Sequence, residues 1–571
     1  DDRNLWIVRR ALALSLAGRH SDVISLLDAA TLKSLDDAQR AEALHLRGLS
    51  RQAAKEYAAA ADDFRRALQA APRRPQADDT MLALAETLRL SGDAAGALGA
   101  LNDLRKTFPQ SKLLDTAEYR IAELAYAAGD LKAAEAAYRR VLDQHAGSPL
   151  APHARYGLAW SLLGEQDASG AAAALDELLR GKLPADLAVK ARYARALANQ
   201  QLKRFEPAIA DLTEFLKSKP TGTELADALY VQGLCEEGLG RNDAAAATFE
   251  RLLAAAPKYS GAPKALYELG WIHKSAGRAK ESSAAFARLA QEHPQSELVA
   301  EALFHVGEDA YARKDYAAAI DAYFDAREKA DSDELEEKAA HKLGWTYFHR
   351  GNFPKAEEWF AFQRSSFPKG PLADDAAFMQ AESQFKQGKY KDALAAYLAV
   401  KSPQGADFAV LALLHAGQSA AQLEQWKQSL QLLDNAVAQF PETPYLPEIN
   451  YERGWAQHNL GDDAAALKLF EGVTEQTDRE VAARARYMIG EIYFTQKKHD
   501  EAVRHFIKAA YVYAYPEWQA RSHFEAGRCF EVLGKLEQAK QSYQEVVSKF
   551  GKYEEAELAK QRLAALAKSG S

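Results

Sequence analysis

Along the chain, large apolar residues fall in sets three and four positions apart with small residues between them, and this arrangement renews itself about every 37 residues. Spacing of three and four puts residues on one face of a helix, whereas strands would show alternation. A small residue anchors each renewal: Ala11, Gly48, Ala85, Ala122, Gly157, Ala196, Gly233, Gly270, Gly307, Gly344, Ala381, Gly417, Gly454, Gly490 and Gly527. The steps are 37 or 36 residues except for 35 and 39 on either side of Gly157. Three positions before the anchor stands a large ring, as in Tyr119, Tyr193, Tyr230, Phe304, Phe378, Tyr451 and Tyr487; five before it is usually Ala.

The same register places the ends of the elements. Seven positions after the anchor many units carry Gly, among them Gly18, Gly92, Gly129, Gly164, Gly240, Gly351 and Gly534, which suits a left-handed residue closing a helix. Twelve after it Ala recurs, followed four later by a bulky side chain such as Phe64, Tyr138, Phe249, Phe286, Phe360 or Phe470, so a second amphipathic helix is expected. Proline closes several units: Pro72, Pro109, Pro257, Pro294, Pro368 and Pro441. Each unit thus reads as helix A, Gly turn, helix B and a Pro-containing connection. One such hairpin cannot bury its own apolar face, so stability must come from neighbour stacking.

This small-residue, Gly-turn and Ala-aromatic pattern resembles the tetratricopeptide family, with about 15 units of roughly 37 residues against the usual 34. The resemblance implies an all-α, right-handed superhelical solenoid. The expected divisions are an N-terminal array over 1–185, a C-terminal array over 186–552, and a capping helix and tail over 553–571. In that cap Glu554, Glu555, Glu557, Lys560, Gln561 and Arg562 are expected to face solvent. The thin second helix from Ala168 to Arg180, flanked by the irregular steps, suggests a softer joint near 165–190, and Ser402 to Asp407 marks a second interruption.

Connections such as Phe108-Pro109-Gln110-Ser111, His293-Pro294-Gln295-Ser296 and Phe440-Pro441-Glu442-Thr443 are similar to those of the bacterial cell-envelope branch, of the outer-membrane assembly lipoprotein D and Tol-Pal coordinator type. That resemblance implies the periplasm or cell envelope of a Gram-negative-type bacterium, with a cytoplasmic adaptor as the alternative. The chain opens on Asp1, which allows export behind a removed leader but lacks the leading Cys of a lipoprotein.

Composition narrows the chemistry. Lys and Arg number 72 against 80 Asp and Glu, a net charge of −8, which supplies no positive field for nucleic acid. No apolar run reaches the ~18 residues of a membrane span. No two of the 14 histidines are three or four apart, so no helical His pair presents a metal. No Gly-Lys pair is followed by Ser or Thr, and GxSxG is absent. The two cysteines, Cys235 and Cys529, share a core position of the repeat. The expectation is a non-enzymatic scaffold without cofactor or metal, binding protein partners, or alternatively self-associating.

In the family, helix A lines the inner face, so the residue after each anchor is the natural contact point. The candidates are Trp271, Glu308, Trp345, Glu382, Trp455 and Glu491; exposed Trp is enriched at hot spots, and the acidic members imply an apolar and basic partner segment. The Tyr/Phe column three residues before the anchor is expected to pack within each hairpin. Tyr511, Tyr515 and Trp518, with Tyr513 around Pro516, form a further candidate patch. The acidic stretch from Asp331 to Glu337 reads as a solvated connection leading into a helix N-terminus.

Overall fold

The computed structural model describes residues 2–400 and 407–569 and is entirely helical there, with thirty-two α-helices. Of the interruption expected at 402–407, residues 402–406 lie outside the described residues, and Asp407 is the first residue of a helix. Two compact units are present, Asp1–Arg278 and Ala279–Ser571. Within each, helices A and B alternate as antiparallel neighbours, and successive hairpins stack in a solenoid.

The anchor column explains the close approach. A Cβ placed on Gly48, Gly233, Gly344 or Gly490 would lie 2.6–2.7 Å from the ring of Phe64, Phe249, Phe360 or Phe506, the residue sixteen positions later on helix B. These four rings are fully buried. Only a missing side chain lets the ring lie against the helix A backbone, and interior packing density leaves no slack. The ring three residues before the anchor completes the layer: Tyr230–Phe249, Phe304–Tyr323, Phe378–Tyr397, Tyr451–Phe470 and Tyr487–Phe506 have centroids 5.4–5.9 Å apart. The Tyr/Phe column therefore packs inside each hairpin.

The turn column holds at fifteen places, but through a different register at one of them. Left-handed backbone occurs at Gly18, Lys55, Gly92, Gly129, Gln166, Lys203, Gly240, Gly277, Lys314, Gly351, Gly388, Glu424, Gly461, Lys497 and Gly534. Gln166, not Gly164, closes the fifth unit's turn, so its anchor is Ala159, 37 residues from both Ala122 and Ala196. Ala159 and Leu175 are fully buried in one core cluster, and Asp167 caps helix B by accepting from Gly170 N at 2.8 Å. Gly157 instead makes room for the Tyr138 ring of the preceding hairpin. The 35 and 39 steps vanish, and with them the irregular spacing that suggested a joint at 165–190.

Caps and connections follow local chemistry. Asp93, Asp130, Asp315 and Asp462, each one residue past the left-handed position, accept from backbone N–H groups of helix B at 2.8–3.2 Å. The Ser ending a connection also joins hairpins: Ser111 Oγ donates to Asp78 Oδ2 and Ser148 Oγ to Asp115 Oδ2, both at 2.6 Å. Two repeats carry a lateral ion pair at the same register, with Arg47 on Asp63 (2.8 and 2.5 Å) and Arg195 on Asp211 (2.7 Å twice). In the terminal helix, Glu554–Ser569, Glu555 is buried and pairs with Arg521 at 3.3 Å, unlike its expected solvent position, while Glu554, Glu557, Lys560, Gln561 and Arg562 are exposed.

Two substitutions test this packing. Gly344→Ala forces a Cβ against the immobile Phe360 ring and is expected to destabilise the second unit by about 1–3 kcal/mol. Lys314 sits at φ 61° without the freedom of glycine, so Lys314→Gly is expected to stabilise that unit by up to about 1 kcal/mol. Denaturant unfolding of both variants followed by circular dichroism measures each sign; stabilisation by Gly344→Ala contradicts the packing account.

Candidate partner-binding face

Helix A presents its residues at −6, −3, +1 and +4 from the anchor on one face, because those steps return to the same side of a helix. Most of the candidates fall at +1, and the structure divides them into two kinds. Glu308 and Glu382 occur in hairpins whose buried helix B ring is a tyrosine. Glu308 accepts from the Tyr323 hydroxyl at 2.6 Å and pairs with Lys342 at 2.9 Å; Glu382 accepts from the Tyr397 hydroxyl and is bonded to His415. Burial pushes the Glu382 carboxyl up, but hydrogen bonds from His415 and Tyr397 outweigh it and hold the group below the usual carboxylate range. These acids are occupied inside the protein.

Trp345 and Trp455 occur where the helix B ring is Phe360 or Phe470. They are half-buried rather than exposed. The Trp345 indole N–H lies 3.0 Å from His341 Nε2 and 3.2 Å from Asp375 Oδ2, and its ring stacks on His349. Trp455 meets Trp426 edge-on at 6.5 Å and His458 at 6.0 Å. Trp271, in the first unit, is half-buried with Lys274 Nζ 4.7 Å above its ring.

Glu491 breaks the rule: its hairpin carries Phe506, so no hydroxyl comes from the ring position, and the hydroxyl that does reach the carboxyl is that of Tyr487 on its own helix. Its Oε1 is buried without a hydrogen-bond partner. Burial, reinforced by the Glu525 carboxylate and only partly opposed by Tyr487 and Arg528, pushes its pKa up to about 7.

The tyrosine-rich patch separates as well. Tyr513 is buried against Ala482 and Ala483, with Tyr515 and Trp518 packed on the same cluster, and Trp518 Nε1 donates to Glu480 at 3.0 Å. Tyr511 alone stands out, 62% exposed and edge-on to His523. Both cysteines are buried and free, and burial raises each thiol to about 12, far from a reactive thiolate.

The face opens into furrows. One, about 590 Å³, runs diagonally over four successive A helices: Phe385 at +4, Gln418 at +1, Tyr451 at −3 and Arg484 at −6, with Trp426 and Trp455 alongside. Of the candidates, Trp455 lines it, and Trp518 lies beside it with its ring 6.0 Å from the Arg484 guanidinium. The same structure brings no other candidate into that furrow. In the first unit a furrow of about 400 Å³ is lined by Tyr119, Tyr126, Tyr138, His153, Tyr156 and Trp160. Trp160 stands at +1 of the Ala159 hairpin; it was missed because the anchor was set at Gly157, and an unbroken 37-residue count would have found it.

An array of stacked helical hairpins with an open A face is the architecture of a protein-interaction repeat. Family models described as tetratricopeptide repeat match residues 79–111, 119–186, 193–260, 229–297, 267–334, 341–406, 414–480 and 481–550, and the chain belongs to that family. No curated protein matches it by sequence. Solved structures similar to it include Naa15/Naa10 bound to HypK-THB (12% identity, 99% of this chain and 97% of that chain, TM-score 0.32). The APC/C hetero-tetramer Cut9-Hcn1 matches at 16% identity over 94% of this chain and 98% of that one, TM-score 0.32. A tetratricopeptide repeat protein from Parabacteroides merdae ATCC 43184 matches at 15% over 47% of this chain and 98% of that one, also at 0.32. No helix among the described residues is long and apolar enough to cross a membrane.

Glu491 gives a pH test. Its folded carboxyl titrates near 7 and its unfolded one near ~4.3, so the stability it lends is full below the lower value and is lost as the pH rises through the higher. Glu491→Gln is therefore expected to stabilise the protein by about 1–3 kcal/mol at pH 8 and hardly at all at pH 4. Thermal melts at both pH values decide; an equal effect at each removes the assignment.

Proposed function

We propose that the protein is a non-enzymatic interaction scaffold that holds partner peptides or helices along the A-helix face, in a bacterial cell-envelope assembly or trafficking complex. The observation that carries the binding reading is the furrow over Phe385, Gln418, Tyr451 and Arg484. There large rings line an open trough on the face that repeat proteins of this class use for recognition. Extended segments suit such a trough because they offer side chains to several helices at once. The Pro-x-Ser connections support the envelope setting, and the recurrent Trp at +1 supports Trp271, Trp345, Trp455 and Trp160 as contact points.

A photo-crosslinking amino acid placed at Gln422, exposed on the furrow's edge, is expected to capture partner protein in the native cell, while the same probe at Lys468, exposed on a helix B, is not. Mass spectrometry of the adducts reads the result. Capture at Lys468 alone rules out the A face. Fractionation of the same cells decides between envelope and cytoplasm.

A further inference from the structure

We propose that the furrow between Phe385 and Arg484 takes an extended polypeptide segment bearing one acidic residue next to a large apolar side chain. The inference rests on the binding reading above and assigns the partner's chemistry. It departs from the basic segment that the Glu column implied, because Glu308 and Glu382 are engaged internally by tyrosine hydroxyls, Lys342 and His415.

Three groups in the furrow point to an acceptor brought by a ligand. Arg484 lies with its guanidinium 4.2 Å from the centroid of the Tyr451 ring, and no carboxylate among the described residues comes within 4 Å of it. One N–H of the guanidinium is engaged by the Tyr451 hydroxyl, and the N–H groups that remain are available to a ligand's carboxylate. The indole N–H groups of Trp426 and Trp455, which line the same trough with rings 6.5 Å apart, have no hydrogen-bond acceptor among the described residues. The apolar walls, from Phe385, Tyr451 and the two indoles, fit a bulky neighbour of that carboxylate.

The acids that face the trough set the limit of charge. Glu452 accepts from Gln418 Nε2 at 3.0 Å, and burial raises its carboxyl above the usual range despite Arg484 and that amide, which lessens its competition for the guanidinium. Glu424 lies exposed at the rim. It repels a second negative charge, so a single acid flanked by rings is favoured over a polyacidic run.

The test uses the full chain and three dye-labelled, end-blocked peptides of equal length, differing only in a central Glu-Trp-Leu, Lys-Trp-Leu or Gln-Trp-Leu. Fluorescence anisotropy is expected to rank the Glu peptide at least tenfold tighter than the Lys peptide. Arg484→Gln is expected to level that difference and Arg484→Glu to reverse it. Trp426→Ala is expected to weaken the Glu peptide while keeping the order. Unchanged far-ultraviolet circular dichroism and melting establish that each variant is folded. Equal or tighter binding of the Lys or Gln peptide to the unaltered protein overturns the proposal. So does an order unmoved by Arg484→Glu, and so does binding of none. Capture at Gln422 in cells together with any of these outcomes leaves the scaffold reading standing while removing the acidic partner.

Discussion

The contact on which the structure depends is a ring laid against bare backbone. In the Gly344 hairpin, the Phe360 ring sits where a Cβ on helix A would have to be, and the same contact recurs at Gly48, Gly233, Gly307, Gly454, Gly490 and Gly527. Burying such a ring contributes on the order of 2–3 kcal/mol, and the missing side chain brings the two helices close enough for that burial to be complete. Repetition then does the rest. A hairpin closed in this way still shows an apolar side, and only the next hairpin can cover it.

That core contact also governs the surface above it. A tyrosine in the ring position carries a hydroxyl out to the edge of the layer, where it must find an acceptor, and the +1 residue of helix A is within reach. Tyr323 meets Glu308 there and Tyr397 meets Glu382. Phenylalanine makes no such demand, and Phe360 and Phe470 leave the position to Trp345 and Trp455. The mixed Trp and Glu column is thus two structures, one of acids closed on tyrosine hydroxyls and one of half-buried indole rings. Glu491 above Phe506 belongs to neither: burial and the Glu525 carboxylate lift its pKa, and the Tyr487 hydroxyl and Arg528 only partly offset them.

Most of the architecture could be read from spacing, because a contact repeated every 37 residues leaves its mark on residue size. The errors came where residue type is a poor proxy for conformation. Gly157 and Gly164 drew the register two residues off, since glycine looked like both the anchor and the turn residue. Yet Ala159 serves as the anchor and Gln166 adopts the left-handed turn at φ 65°. Lys55, Lys203, Lys314 and Lys497 adopt it as well, so the turn is imposed by helix packing and glycine merely eases it. The internal bonds of the acidic column stayed hidden for another reason: a partner fifteen residues away on the next helix is invisible to a pattern that compares only equivalent positions.

The furrow itself arises from a local thinning of the array. In the Gly417 hairpin the +1 and +4 positions are Gln418 and Ala421, where the hairpins on either side place Glu382 and Phe385, and Trp455 and His458. One slender layer between two thick ones leaves a trough whose walls are the neighbours' rings. The −6 residue of the hairpin beyond, Arg484, closes its far end. The +4 position that shapes the trough takes no part in the ring-on-backbone contact beneath it, so in the proposed scaffold recognition and stability fall to different columns of the same repeat. A long array can therefore vary its binding surface hairpin by hairpin while its core stays constant.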